Sequence, residues 1–463
     1  MTPTNSLWKL YLWIGVLLFA SCNIGWAAET LEERVDRLEK AFSVSENTFK
    51  CYWKNDSRCE TLGKEILIRF GGRIQFDMNF PHFSDEVESA FGDPEDRFFF
   101  RRARLFIRGT LYEAFDFKAE YDFAGDTAAF TDVYIRANDL PYVGNIYAGR
   151  FKGPFGLEEL ASDNFITFQE RSLTDAFIPG RTLGFMFENT WFDERATWGI
   201  SITRPEGDET STSTDDLDLT LRLTGVPWFQ DDGRQLLHLG FGYIWRNRRH
   251  EESIRFRTRP EAVIHTTRDF DDEELDVRFV DTGELPVDEA HTIGFEAAFV
   301  HGPFSIQGEI MGAMPRGLSG DPTEDDVDDM QFWGYYAMVS YFLTGEHRPY
   351  DTSSGTFGRP DVNKPFLGQG GWGAWELALR VSGIDLDDAD EIDDTNDRGG
   401  RELNLTFGVN WYPNPNTRVT LNYVTGWVDD RTITLSNDAD ETLVADLDND
   451  SFGALMMRFQ VDF

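Results

Sequence analysis

Residues 97–152 constrain the fold of this chain more than any other stretch, because they alternate apolar and polar side chains with a period of two through successive segments. From Phe115 to Phe123 the odd positions read Phe, Phe, Ala, Tyr, Phe, and the even positions from Asp116 to Asp122 read Asp, Lys, Glu, Asp. A helix would scatter these residues around its axis, whereas a strand sorts them onto two unlike faces. The preceding segment puts Ala103, Leu105 and Ile107 on one side and Arg102, Arg104 and Arg108 on the other. The next turns Asp132, Tyr134 and Arg136 one way, and residues 145–152 place Arg150 and Lys152 opposite Tyr147 and Phe151. Two architectures produce this alternation: a soluble sheet with its apolar face in a core, and a closed sheet with its apolar face in lipid and its charges around water.

Composition and connections separate the two. Beyond the N-terminus no run reaches the roughly 18 consecutive apolar residues of a membrane helix, so helical spans are excluded there. Aromatic residues make up 14% of the 463 positions, with 40 Phe, which suits a lipid-facing surface with interfacial girdles. From Ile66 onward strand-like segments of about ten residues alternate with two kinds of connection. Short ones carry turn chemistry, as in His301-Gly302-Pro303; long ones, at 205–216, 269–276, 321–329, 385–397 and 437–450, are acidic. A transmembrane barrel has tight turns at one end and free loops at the other, whereas a sandwich gives no reason for such asymmetry. In the last segment Leu455, Met457, Phe459, Val461 and Phe463 share one face and Arg458, Gln460 and Asp462 the other. An apolar-faced terminal strand ending in Phe is what the outer-membrane assembly machinery reads. In the first strand, Gly71-Gly72 is expected to form a bulge that shifts the phase.

At the N-terminus Lys9 precedes an apolar run from Leu10 to Ala20, followed by small residues, which reads as a signal peptide over 1–27. Lipoprotein processing at Cys22 is the alternative. Leu31, Val35, Leu38 and Phe42 then form the seam of a short amphipathic helix, either a periplasmic coiled coil or a helix packed on its own chain. Residues 28–65 are thus a periplasmic helix and linker, and 66–463 the barrel. Cys51 and Cys59 either pair in an oxidising compartment or stay free. The formal net charge of −39 argues against nucleic acid as a partner.

Several ordered blocks carry a family resemblance: Phe100-Arg-Arg-Ala-Arg104, Ala119-Glu-Tyr-Asp-Phe123, Thr131-Asp-Val-Tyr-Ile135 and Gly149-Arg-Phe-Lys-Gly-Pro-Phe155. With Pro179-Gly-Arg-Thr-Leu-Gly184, Tyr341-Phe-Leu-Thr-Gly-Glu346, Gly373-Ala-Trp-Glu-Leu-Ala-Leu-Arg380 and Leu405-Thr-Phe-Gly-Val-Asn-Trp-Tyr412, the sequence resembles the phosphate-selective porin O and P family of Gram-negative outer-membrane proteins. The resemblance implies an all-β fold, a transmembrane antiparallel β-barrel of about 16 strands. It also implies a homotrimer in outer-membrane lipid that passes small anions, phosphate or polyphosphate.

An oxyanion that sheds water in a narrow pore needs charge-assisted hydrogen bonds in return, and several cations in series supply them without one deep trap. Arg102, Arg104, Arg108, Lys118, Arg136, Arg150 and Lys152 are the candidate pore-lining contacts, with Arg101 joining through a bulge. The competing reading pairs these cations with Asp116, Glu120, Asp122 and Asp132 on the same faces. Arg171 and Arg181 fit an inward-folded constriction loop or a surface loop equally well. The acidic connections would repel phosphate at an outer mouth, which keeps two other readings open: a general or cation-preferring porin, and a structural or adhesive barrel whose loops bind calcium. No nucleophile-elbow, zincin or P-loop motif occurs, so neither an enzyme, a cofactor nor a metal site is expected.

Overall fold

A computed structural model describes residues 49–463 apart from 62, 64, 126–127, 206–215, 249–252, 269–272, 319–329, 368–369, 389–398 and 437–441. The expected signal peptide and the seam of Leu31, Val35, Leu38 and Phe42 lie outside the described residues.

Sixteen strands form the barrel wall. They are β1 (Ile66–Phe83), β2 (Arg97–Leu111), β3 (Phe115–Asp122), β4 (Ala129–Leu140), β5 (Gly144–Lys152), β6 (Arg181–Trp191), β7 (Ala196–Thr203) and β8 (Leu217–Gln230). Then follow β9 (Gln235–Asn247), β10 (Val287–His301), β11 (Phe304–Leu318), β12 (Phe332–Phe342), β13 (Ala374–Asp385), β14 (Arg401–Asn414), β15 (Thr417–Asp429) and β16 (Asp450–Asp462). Each pairs antiparallel with its neighbour, and β16 pairs back onto β1 with Arg458 opposite Asp77 and Val461 opposite Ile74, closing the sheet.

The alternation decides which face is which. On β2, Arg104 is 8% exposed and its neighbour Leu105 is 51% exposed, the reverse of a soluble sheet with charges in bulk water. Phe98, Phe100, Phe115, Ile135, Phe185 and Phe407 are likewise turned outward, while Gln75, Asp77, Glu120 and Arg458 are buried inside. An apolar exterior and a polar interior suit a wall standing in hydrocarbon.

The paired glycines serve the seam rather than a bulge. The register runs unbroken through Gly71 opposite Phe106 and Gly72 opposite Leu105, and shifts only between Gln75 and Phe76. The residues flanking the glycines already share one phase, so no shift is needed there. Gly72 and Phe463 exchange two backbone hydrogen bonds, of 2.8 and 3.0 Å. A Cβ on Gly71 would stand 2.3 Å from the Phe463 carbonyl oxygen, so only glycine lets the two ends meet.

β6 is the strand that periodicity alone does not reveal. Its inward phase reads Thr182, Gly184, Met186 and Glu188, and Met186 packs on Tyr147 and Phe151, so the expected polar face is partly apolar. Long connections emerge at one end and hold all five acidic stretches. Tight turns such as 112–114, 141–143, 302–303 and 415–416 close the other end, and residues 343–373 are the one long connection there. Before β1, strands Phe49–Trp53 and Ser57–Thr61 form a hairpin closed by a Cys51–Cys59 disulfide. This settles the cysteine alternative and gives the expected linker a fold of its own.

Because the seam leaves no room for a methyl group, Gly71→Ala should destabilise the closed barrel by roughly 1–3 kcal/mol. Heat-modifiable electrophoresis would show the folded band converting at lower temperature, and an unchanged transition would mean that the seam relaxes freely.

Candidate functional site

Residues 153–180 leave β5, fold into the barrel and return to β6, and the wall holds them by a specific set of contacts. Phe155 inserts where the wall has no side chains: a Cβ on Gly242 or Gly294 would come within 2.6 or 2.8 Å of its ring. The backbone N–H groups of Leu157 and Glu158 both donate to Glu309 at 2.8 Å. Glu158 in turn accepts from Ser172 N–H and from Arg380, whose side chain is fully buried and also meets Glu261 at 2.6 Å. A buried guanidinium is sustained only by such multiple partners.

Further along, Arg418 donates to the carbonyls of Ile166 (2.5 Å) and Thr167 (2.6 Å), and Asn422 accepts from Gln169 N–H. Arg458 grips Asp77 bidentately at 2.7 Å and reaches Gln169 O and Glu170. Glu170 also takes a bidentate pair from Arg101, at 2.8 and 2.9 Å. Burial pushes the Glu170 carboxyl up, but the charge and hydrogen bonds of Arg101, then Arg102 and Arg458, outweigh it and hold the group well below the usual carboxylate range. Asp163 is held down in the same way against its burial, by Arg102, Arg171, Lys152 and Arg104.

The β2–β6 wall meets this crossing segment directly. The register shift leaves Arg101 unopposed on β1, and this bulge lets both Arg101 and Arg102 reach inward. Arg102 donates to Gln75 and meets Asp163 at 3.1 Å; Arg104 binds Asp122 at 2.6 Å and Asp163 at 3.2 Å. Lys118 bridges Asp132 (2.6 Å) and Glu120 (3.3 Å), and Arg136 pairs with Asp116 and donates to the Tyr147 hydroxyl. Lys152 binds the carbonyl and carboxylate of Glu159 at 2.6 and 3.0 Å. Arg108 meets Asp56 of the N-terminal hairpin at 2.8 Å.

Arg150 occupies the other phase of its strand. It lies in register with Val133 and Leu183, in the phase that turns Ile135 and Phe185 outward. Tyr147 and Phe151, expected on the lipid face, instead pack inward with Tyr134 and Met186. Alternation sorts residues into two faces but cannot say which faces water when aromatics also line the lumen.

Periodicity in 97–152 also left out Arg73, Arg380, Arg418 and Arg458, although each occupies the polar phase of its own strand. Arg171 and Arg181 are brought in by the fold: Arg171 binds Glu159 and Asp163, both at 2.6 Å, and Arg181 binds Asp132 through Nε at 2.6 Å. Among the described residues no other hydrogen bond engages the Arg181 side chain, and none of their His, Cys, Asp and Glu groups is arranged to hold a metal ion.

The sequence profile of the family described as phosphate-selective porin O and P matches residues 68–463. This chain belongs to that family. It is an outer-membrane β-barrel porin. It is similar to Porin O of Pseudomonas aeruginosa, with 28% identity over 386 residues covering 79% of this chain and 84% of that protein. A protein of Caulobacter vibrioides described as uncharacterized is 30% identical over 341 residues, 70% of this chain and 61% of that one. Among solved structures, OprB of Pseudomonas putida shares the fold at a TM-score of 0.50 and 10% identity, over 87% of this chain and 95% of that one. An anion-selective porin from Comamonas acidovorans aligns at 0.49 and 14%, over 86% and 100%.

In this porin the crossing segment leaves two cavities toward the turn end. One, of about 530 Å³, is lined by Arg136, Tyr147, Lys152, Glu188 and Arg222 among others; another, of about 400 Å³, lies beside Arg73, Arg108 and Lys118.

Two outcomes follow. Arg458→Ala strips Asp77 of its bidentate partner, frees Gln169 and leaves Glu170 to Arg101 alone, at a cost of about 3–5 kcal/mol; single-channel records should show larger, noisier openings, and wild-type records would refute the clamp. A carboxylate held below its ordinary value stabilises the fold above that value and loses the contribution as pH falls through and below it. Glu170 and Asp163 should therefore keep conductance steady from about pH 8 to about pH 5, with fluctuations growing below about pH 4.

Proposed function

We propose that this porin lets small oxyanions, phosphate or polyphosphate among them, diffuse passively through each barrel of a homotrimer. The single observation that carries the reading is the constriction wall, where Lys118, Lys152, Arg171 and Arg181 converge while keeping donors to spare. Lys118 and Lys152 each engage two partners, against the three N–H bonds of an ammonium group. Arg181 is held by Nε alone, which leaves the donors of its two terminal nitrogens, set in a fixed fork, for a solute. Nearby carboxylates keep these cations in place and prevent any one of them from trapping the anion, which conduction requires. Membership in a family described as phosphate-selective supports the same direction of selectivity.

A second reading has its own support. Arg104, Lys118 and Lys152 each have a carboxylate partner, and the long connections are acidic in sequence, so a cation-preferring porin would use the same wall with the opposite sign. Reversal potentials across planar bilayers in a salt gradient decide between them. An anion-selective potential with chloride current blocked by inorganic phosphate is expected. In Arg181→Ala and Lys152→Ala the half-blocking phosphate concentration should rise about tenfold, the worth of one charge-assisted hydrogen bond. A cation-selective potential without phosphate block would overturn the proposal.

A further inference from the structure

The hairpin ahead of the barrel does more than cap an edge. Ser57 to Glu60 pair with Phe70 to Leu67 of β1, on the edge that β16 gives up at Gly72, since β2 occupies the other edge. The strand therefore continues the wall where Phe463 stops, and the turn that precedes it points into the mouth. Asp56 sits at that turn, 4% exposed, although it is an acid in a short surface hairpin. It accepts hydrogen bonds from Arg108 on β2 at 2.8 Å and from Arg58 at 2.5 Å, and Asn416 of the 415–416 turn donates to the carbonyl of neighbouring Asn55. Burial pushes the Asp56 carboxyl up, but the two guanidinium bonds outweigh this and keep it ionised. Asp56 lines the 400 Å³ cavity with Arg58, Arg73, Arg108, Lys118 and Arg359.

A cavity whose wall sets five cations against three carboxylates, Asp56, Glu120 and Asp462, is where an oxyanion would pause at the turn end, which faces the periplasm in an outer-membrane barrel. One carboxylate supplied by a disulfide-closed hairpin already occupies the most exposed of the strand cations there, since the Arg108 side chain is 43% exposed against 11% for Arg73 and 17% for Lys118. We infer that Asp56 is a tethered counter-ion that competes with the permeating anion for Arg108, and so sets how tightly the turn-end mouth holds an oxyanion. This deepens the proposed function and rests on that reading. The Cys51–Cys59 bond acts as the tether: it closes the hairpin and keeps the effective concentration of the carboxylate at Arg108 high.

The test uses the full-length porin in planar bilayers at low salt, where surface charge is not screened, with inorganic phosphate added to one side at a time. In Asp56→Asn the phosphate concentration that half-blocks from the turn side should fall roughly fivefold, the effect of one unit charge at hydrogen-bond distance in a wet site. Block from the loop side should stay unchanged. The Cys51→Ser/Cys59→Ser variant should move in the same direction, and Glu60→Gln, a charge change beside Tyr52 on the same hairpin, should match wild type. Wild-type block that Asp56→Asn leaves unaltered on the turn side overturns the inference while the porin reading stands. If wild type shows no block at all, the function reading fails instead, and the inference is then read from the reversal potential, which Asp56→Asn must shift toward anions to sustain it.

Discussion

Hydrocarbon offers no partner to a backbone N–H or C=O group, and this sets the terms for everything else in the structure. A wall built of strands can satisfy its peptide groups in lipid only by pairing them around a complete circle. The junction between β16 and β1 is therefore as necessary as any ladder inside the sheet, and it is made tight by glycine at 71 and 72 against the carboxyl-terminal phenylalanine. Once the circle is complete, the period-two pattern has only one stable sense: Leu105, Phe115 and Phe407 in lipid, Arg104, Glu120 and Thr406 within.

Inside, a different economy operates. The wall presents guanidinium and carboxylate groups to a space that the chain itself partly fills, with residues 153–180 and 253–264 entering from the loop end and 343–367 from the turn end. Burial in such a space makes each unpaired charge expensive and each bidentate pair strong. This explains why Arg380, with no exposed surface, meets two carboxylates and a carbonyl, and why Arg418 spends its donors on the carbonyls of Ile166 and Thr167. The same pairing that fixes the crossing segment limits how many cations remain at its edge to meet a solute.

Much of the fold could be read from residues alone. The phases of β1, β2, β3, β4 and β16 stand in the sequence because each of these strands has lipid on one side and charged side chains on the other. β6 could not be read so, since its inward phase holds Gly184 and Met186 in place of charge, and Tyr147 and Phe151, aromatic and read as the lipid face, line the interior. The bulge at Arg101 was inferable from the Arg-Arg doublet interrupting an otherwise regular phase. The partners of Arg380, Arg418 and Arg458 were not, because they depend on where a loop hundreds of residues distant comes to rest; the hairpin at 49–61 is local, and in the sequence only its two cysteines mark it. Local pattern determines which side of the wall a residue occupies; only the closed circle determines what it meets there.

The sharing of Glu170 has a consequence for how such a molecule is made. One side chain of the crossing segment is gripped at once by Arg101, near the start of the chain, and by Arg458, near its end. The two arginines meet at one carboxylate only where the first and last strands are paired, so whatever completes the ring also completes the grip on the crossing segment.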